Sequence, residues 1–266
     1  MKKILSVVLL AGAFLFGITC AAEVSATEES KKVDIMFLHD THSHLNSFAT
    51  VENGKTQVLG GFARIKTLIN EQLTENPETL LLDAGDFSMG TLIQVMFEEE
   101  ASELRMLGDL GMEATTFGNH EFDYRAEGLA NMMNTAIAGG EKLPSMVVCN
   151  VDWKTMEIQG LTDEQKLLKT AFKNYGVKDY IIVEKNGVKI AVTGVFGVDA
   201  LACVVNPPLV FKDPIEAMKE TVDVIKANEE ADMIVCVSHS GTWEDPDKSE
   251  DELLAKAVPE LDLIIS

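Results

Sequence analysis

Cysteine is scarce. The 266 residues hold four, none in a C-x-x-C pair, which argues against a disulfide-stapled scaffold and a thiolate metal site. Cys149 and Cys236 sit inside apolar runs, where a cysteine serves as a small buried hydrophobe. Basic residues are also few. Lys and Arg number 22 against 43 Asp and Glu, a net charge of −21 with no basic stripe. Such a chain is a poor candidate for gripping a nucleic acid polymer through its phosphates. A phosphate-bearing substrate would need positive charge from elsewhere, and a bound metal ion is the expected source. Internal repeats and low-complexity tracts are absent. With 46% hydrophobic and 24% charged residues, the composition is that of an ordinary globular protein with length for a sizeable core.

Only one long hydrophobic run is present. Lys2 and Lys3 precede an apolar stretch from Ile4 to about Cys20, the n-region and h-region of a secretory signal. Val24-Ser25-Ala26 supplies the small residues of a cleavage site. Residues 1–26 are therefore expected to be a signal peptide, 27–32 a linker and 33–266 the working domain. Cleavage before Cys20 with lipid attachment is a second option, although Gly17-Ile18-Thr19 matches a lipoprotein box poorly. No later run approaches the about 18 residues of a membrane span, so the mature chain is expected to have no transmembrane domain. The protein is expected outside the cytoplasm: extracellular, periplasmic or at the cell surface.

Beyond the linker, short apolar runs alternate with helical periods. Strands are expected at Val33–Leu38, Thr79–Ala84, Ala114–Phe117, Met146–Val148, Met233–Val237 and Leu261–Ile265. Helices are expected at Gly60–Glu75, Glu98–Leu110, Glu127–Ala138, Pro214–Asn228 and Glu250–Ala257. Tyr180–Glu184 and Lys189–Val195 flank Lys185-Asn186-Gly187, a hairpin signal. Asp152–Asn174 is polar and irregular and reads as a surface excursion. This alternation is that of an α/β protein with a mainly parallel sheet covered by helices and an added antiparallel hairpin. The chain stops at Ser266, flush with an apolar strand, so the natural polypeptide is expected to continue.

Four expected strands run at once into metal-competent side chains. Val33–Leu38 leads into His39-Asp40-Thr41-His42-Ser43-His44, Thr79–Ala84 into Gly85-Asp86, Ala114–Phe117 into Gly118-Asn119-His120-Glu121-Phe122-Asp123, and Met233–Val237 into Ser238-His239. Ligands of open α/β sheets gather beyond the carboxyl ends of the strands, so these tips converge on one site. Carboxylate, imidazole and amide donors without thiolate suit Mn²⁺, Zn²⁺, Fe or Co²⁺ better than calcium. The two oxygens of Asp86 allow it to bridge two ions, which together could clamp a phosphoryl group and activate a water.

Asp40-x-His42, Gly85-Asp86, the Gly-Asn-His-Glu-Phe-Asp block at 118–123 and the later His239 resemble the calcineurin-like metallophosphoesterases. The fuller wording of 37–44 and Gly60-Gly61-Phe62-Ala63-Arg64 is similar to their bacterial exported 5′-nucleotidase branch. The resemblance implies a four-layer α/β/β/α sandwich, incomplete here at its C-terminus. It implies one divalent transition-metal ion on Asp40, His42 and Asp86, and a second on Asp86, Asn119 and His239. His120, oriented by Asp123, would serve the phosphate and leaving oxygen while a metal-bound hydroxide attacks phosphorus. The expected substrate is a small phosphomonoester, foremost a 5′-nucleotide. A 2′,3′-cyclic-nucleotide phosphodiesterase or broad phosphatase is the alternative on the same scaffold. A catalytically silent cell-surface binding protein is the alternative of another class. The family's further Gly-His-x-His motif would begin where this chain stops, and the nucleoside-holding domain would follow it.

Other residues near the tips have plainer expectations. His39 and His44 are read as structural, Glu121 as a helix-start carboxylate and Arg64 as a salt-bridge partner. Glu98–Glu100 reads as a solvated helix start. Asn150, after the fourth strand, is weighed toward a structural role over facing the site. Trp243, Phe87 and Phe122 are assigned to core packing, with a pocket wall as the alternative.

Overall fold

The computed structural model describes residues 31–266, which form one compact unit. The expected signal peptide, Cys20 and linker residues 27–30 lie outside the described residues. The elements in chain order are β1 (Ile35–Leu38), β2 (Phe48–Glu52), β3 (Lys55–Leu59), α1 (Phe62–Glu75), β4 (Leu80–Asp83), α2 (Phe97–Glu100), α3 (Ser102–Leu110), β5 (Ala114–Thr115), α4 (Arg125–Gly139) and β6 (Ser145–Met146). They continue with α5 (Trp153–Gln159), α6 (Asp163–Tyr175), β7 (Tyr180–Lys185), β8 (Val188–Phe196), α7 (Val198–Cys203), α8 (Pro214–Asn228), β9 (Met233–His239), α9 (Glu250–Ala257) and β10 (Leu263–Ile265).

The strands form two four-stranded sheets and a separate hairpin. The first sheet has the order β1-β4-β5-β6 and the second β10-β9-β8-β7, while β2 pairs with β3. Every pairing in the first sheet is parallel, and in the second only β7 runs antiparallel to its neighbour. The period of two along each strand sorts side chains between layers. Leu80 and Leu82 of β4 meet Ile190 and Val192 of β8 and Val235 and Val237 of β9 in a core between the sheets. Leu81 turns outward to Leu104, Leu107, Leu129, Met133 and Phe172 beneath the first helical layer. Ala191, Ile234 and Cys236 turn outward to Met218, Val222, Ile225 and Leu254 of α8 and α9. The result is the α/β/β/α sandwich. Both core cysteines, Cys149 and Cys236, are buried and unbonded. Among the described residues no helix is long and apolar enough to cross a membrane.

Three local expectations are corrected. Asp152–Asn174 is not an irregular excursion: α5 and α6 occupy it, and Leu168, Ala171 and Phe172 are buried. Thr162 and Gln165 form a reciprocal capping box that starts α6. The hairpin β2–β3, turning at Asn53-Gly54, is additional. The single helix expected over Glu98–Leu110 is broken at Ala101, which is fully buried with φ 47. Glu99 and Glu100 ahead of the break are exposed, as a solvated start requires.

Candidate active site

The loops after β1 and β4 leave their strands by continuing the sheet. The backbone N–H groups of Asp40, His42 and Ser43 donate to the carbonyls of Gly85, Asp86 and Phe87 at 3.0, 3.0 and 2.9 Å. The loops after β1 and β4 are thus zipped side by side. Asp40, His42 and Asp86 all lie in the left-handed region, with φ 50, 44 and 51. A conformation costing roughly 1–3 kcal/mol per residue persists only where its surroundings hold it. Gly118 admits the close approach of the β5 loop, since a Cβ there would stand 2.0 Å from Asp86 Oδ1.

Asp86 is the meeting point. His239 Nε2 lies 3.3 Å and His42 Nε2 3.9 Å from Asp86 Oδ2, while Asp40 Oδ1 lies 3.7 Å from His42 Nε2. Oδ1 of Asp86 accepts the His120 backbone N–H at 2.9 Å. Two donor groups share Asp86: His42, Asp86 and His120, and Asp40, Asp86 and His239, with the donor atoms of each within 4.8 Å of one another. Ligands bound at about 2.0–2.2 Å to a common ion stand at such separations, so the residues fit divalent cations. The grouping departs from the resemblance by drawing His120 in with His42 and placing Asp40 beside His239. Asn119 lines the same cavity of about 290 Å³ as Asp40, Asp86 and His239.

Hydrogen bonds fix which imidazole nitrogen faces this centre. His42 Nδ1 donates to the Met89 carbonyl at 3.0 Å, and His239 Nδ1 to the Ala84 carbonyl at 2.9 Å. A carbonyl only accepts, so Nδ1 carries a proton and Nε2 is the nitrogen turned toward Asp86 and the one open to an ion. The His239 bond also joins the two sheets, because Ala84 follows β4. His120 Nδ1 meets Asp123 Oδ2 at 2.6 Å, leaving Nε2 as its available nitrogen.

Burial sets the electrostatics. It pushes Asp86 upward, but the hydrogen bond and charge of His239, with the His120 N–H, outweigh it and hold the carboxyl below its ordinary value. Burial alone would lower His239, yet Asp86 carries it up to about 9. Burial raises Asp83 to about 7 despite bonds from the Thr115 hydroxyl and Gly85 N–H. Burial, then the charge of Asp86, raises Glu121 to about 8 against the Gly118 and Ser88 amides.

Several neighbours differ from expectation. Glu121 stands in the first turn of a short 3-10 helix, His120–Phe122, as a helix-start carboxylate does, but it is also fully buried and accepts from both the β4 and β5 loops. His39 lines the cavity, with Nδ1 2.9 Å from Asp40 Oδ2. Arg64 donates to the Val58 carbonyl in place of the expected salt bridge. Trp243 is 56% exposed, its indole N–H on Asp199, rather than packed in the core. Phe87 and Phe122 are buried, His44 packs edge-on to Phe48, and Asn150 is a buried staple bonded to the Phe196 amide and carbonyl. Asp199, Cys203 and Ser240 also line the cavity, and no motif singled them out.

Known proteins are similar to this chain. A sequence profile described as calcineurin-like phosphoesterase matches residues 34–266. The trifunctional nucleotide phosphoesterase protein YfkN of Bacillus subtilis is 30% identical over 87% of this chain and 15% of its own length. A 5′-nucleotidase of Diplobatis ommata is 28% identical over 88% of this chain and 37% of its own. The crystal structure of a 5′-nucleotidase precursor from Thermus thermophilus superposes with a TM-score of 0.65 at 26% identity, covering 80% of this chain and 38% of that one. The chain therefore spans well under half the length of these relatives.

Proposed function

The chain belongs to the calcineurin-like phosphoesterase family, and from that premise we propose that it is an exported phosphomonoesterase acting on 5′-nucleotides at a two-metal site. The observation that carries the reading is Asp86, buried and shared between two donor groups. In this reading Asp40, His42, Asp86, Asn119 and His239 hold two divalent transition-metal ions. Bound there, the ions would offset phosphate charge and lower the pKa of a water. Asp86 would be the ligand shared by the two ions, with His42 Nε2 and His239 Nε2 both nearest its Oδ2. His42 and His239 are held with Nε2 inward by the Met89 and Ala84 carbonyls. Asp123 fixes His120 so that Nε2 can hold a proton near the leaving oxygen. The nucleotide preference is supported by the names of the relatives, and export by the pattern of residues 1–26.

The test is hydrolysis of 5′-AMP and of p-nitrophenyl phosphate with Mn²⁺. Asp86→Ala is expected to abolish turnover, and His120→Ala to lower kcat by about 10²–10⁴-fold, the usual contribution of a positioned acid. Variants that match the parent overturn the catalytic assignment. Activity on the aryl phosphate but none on 5′-AMP overturns the nucleotide preference alone.

A further inference from the structure

Glu121 is fully buried and has two oxygens, and four donors converge on them. Oε2 accepts the N–H of Asp86 at 3.0 Å and of Gly118 at 2.6 Å. Oε1 accepts the N–H of Ser88 at 3.0 Å and the Ser88 hydroxyl at 2.9 Å. Asp86 and Ser88 belong to the loop after β4, and Gly118 to the loop after β5. One side chain therefore fastens together the two loops that carry Asp86, Asn119 and His120. The lock is reciprocal, because Asp86 Oδ1 accepts the His120 N–H from the opposite direction at 2.9 Å.

Other buried carboxylates brace the site differently. Glu103 accepts from the Ser43 hydroxyl, and Asp251 from the Ser238 hydroxyl and Gly241 N–H. Only for Glu121, among these three, is a donor the backbone of the shared Asp86 itself. That backbone has φ 51, a left-handed geometry that costs roughly 1–2 kcal/mol in a residue with a Cβ and that the paired N–H bonds offset. All four neighbours donate, so both oxygens are used as acceptors; this is the pattern of an ionised carboxylate, and these bonds work against the burial that pushes the group up. An amide of the same shape would turn an NH₂ toward donors at one oxygen position or the other.

We propose that Glu121 is a positioning residue for the metal centre, fixing through the backbone of Asp86 and Gly118 where the shared carboxylate stands between its two donor groups. It touches neither substrate nor ion and acts by holding Asp86. The inference rests on the reading under Proposed function.

The test measures Mn²⁺ binding to the full chain by calorimetry, with p-nitrophenyl phosphate kinetics and circular dichroism alongside. Glu121→Gln keeps the volume and breaks the acceptor pattern. Its Mn²⁺ affinity is expected to fall about 10–100-fold, the scale of lost outer-shell support. At saturating Mn²⁺, kcat should stay depressed while KM changes by less than about threefold, a split that general loosening of the fold would not give. A folded Glu121→Gln protein with parental Mn²⁺ affinity overturns the inference. If Glu121→Gln does not fold, Glu121→Asp and Ser88→Ala decide the matter. A graded loss of affinity, smaller for Ser88→Ala, supports positioning, and parental affinity in both overturns it. Asp86→Asn separates the two levels: parental Mn²⁺ affinity in that variant defeats the metal-centre reading, whereas loss there with none in the Glu121 and Ser88 variants defeats the positioning role alone.

Discussion

Gly118→Ala replaces one hydrogen by a methyl group at a tight point of the site. The new Cβ would lie 2.0 Å from Asp86 Oδ1 and 2.5 Å from both Asp86 Cγ and the Asp86 backbone nitrogen, where ordinary contact begins at 3.4 Å. Gly118 does not have the positive φ of Gly85, so the alanine backbone is unstrained and the whole effect is steric. The Asp86 carboxylate has to retreat by more than an ångström, carrying Oδ1 out of its 2.9 Å bond with the His120 N–H. Losing a hydrogen bond to a charged group costs about 1.5–3 kcal/mol. In a domain this size that lowers Tm by roughly 3–12 °C at about 2–4 °C per kcal/mol. The larger effect falls on turnover, since misplacing a reacting group by about 1 Å costs on the order of 100-fold. The assay is Mn²⁺-dependent release of p-nitrophenol, compared with Tm by calorimetry. Activity within threefold of the parent would refute the claim that the β5 loop presses directly on Asp86.

Phe172→Ala tests the reassigned segment: the ring stacks on Phe117 at 5.3 Å and meets Trp153 edge-on at 5.4 Å. Chemical denaturation should show a loss of about 3–5 kcal/mol, against almost none for a surface excursion. Asp83 tests the electrostatics of β4. Burial raises its folded pKa to about 7 from the ordinary value of 3.8, so between those values the native state binds the extra proton. Stability contributed by that proton is present below about pH 4 and is lost as pH rises toward 7, by at most about 4 kcal/mol. Asp83→Asn should flatten the fall in Tm over that window, and an unchanged slope would show that Asp83 stays ionised.

The convergent tips were legible because each is an apolar run that stops abruptly at Asp, His or Asn, and a parallel sheet directs such ends to one side. Asp152–Asn174 was not, because Trp153, Met156, Leu168 and Phe172 are diluted by Lys, Glu and Gln that mask the helical period. The β2–β3 hairpin carried its own signal in Asn53-Gly54, but its flanking residues are mostly exposed and lack the apolar alternation that marks a packed strand. Glu121 was legible as a helix-start carboxylate but not as a link between loops. Its neighbours in sequence suggest a helix start, while its partners Asp86 and Ser88 lie more than thirty residues away, a distance that no local pattern encodes. His39 and Trp243 show the same limit, since whether a side chain at a loop faces a cavity or solvent depends on backbone turns such as the φ 50 of Asp40.

The bond from His239 to the Ala84 carbonyl ties a donor on one sheet to the strand beneath Asp86 on the other. The apolar seam of Leu82, Val192, Val235 and Val237 thereby acts as a ruler, setting the gauge across which the two halves of the centre are spaced. A sub-ångström slip in that dry interlayer would retune the chemistry at its rim without altering any residue that faces it.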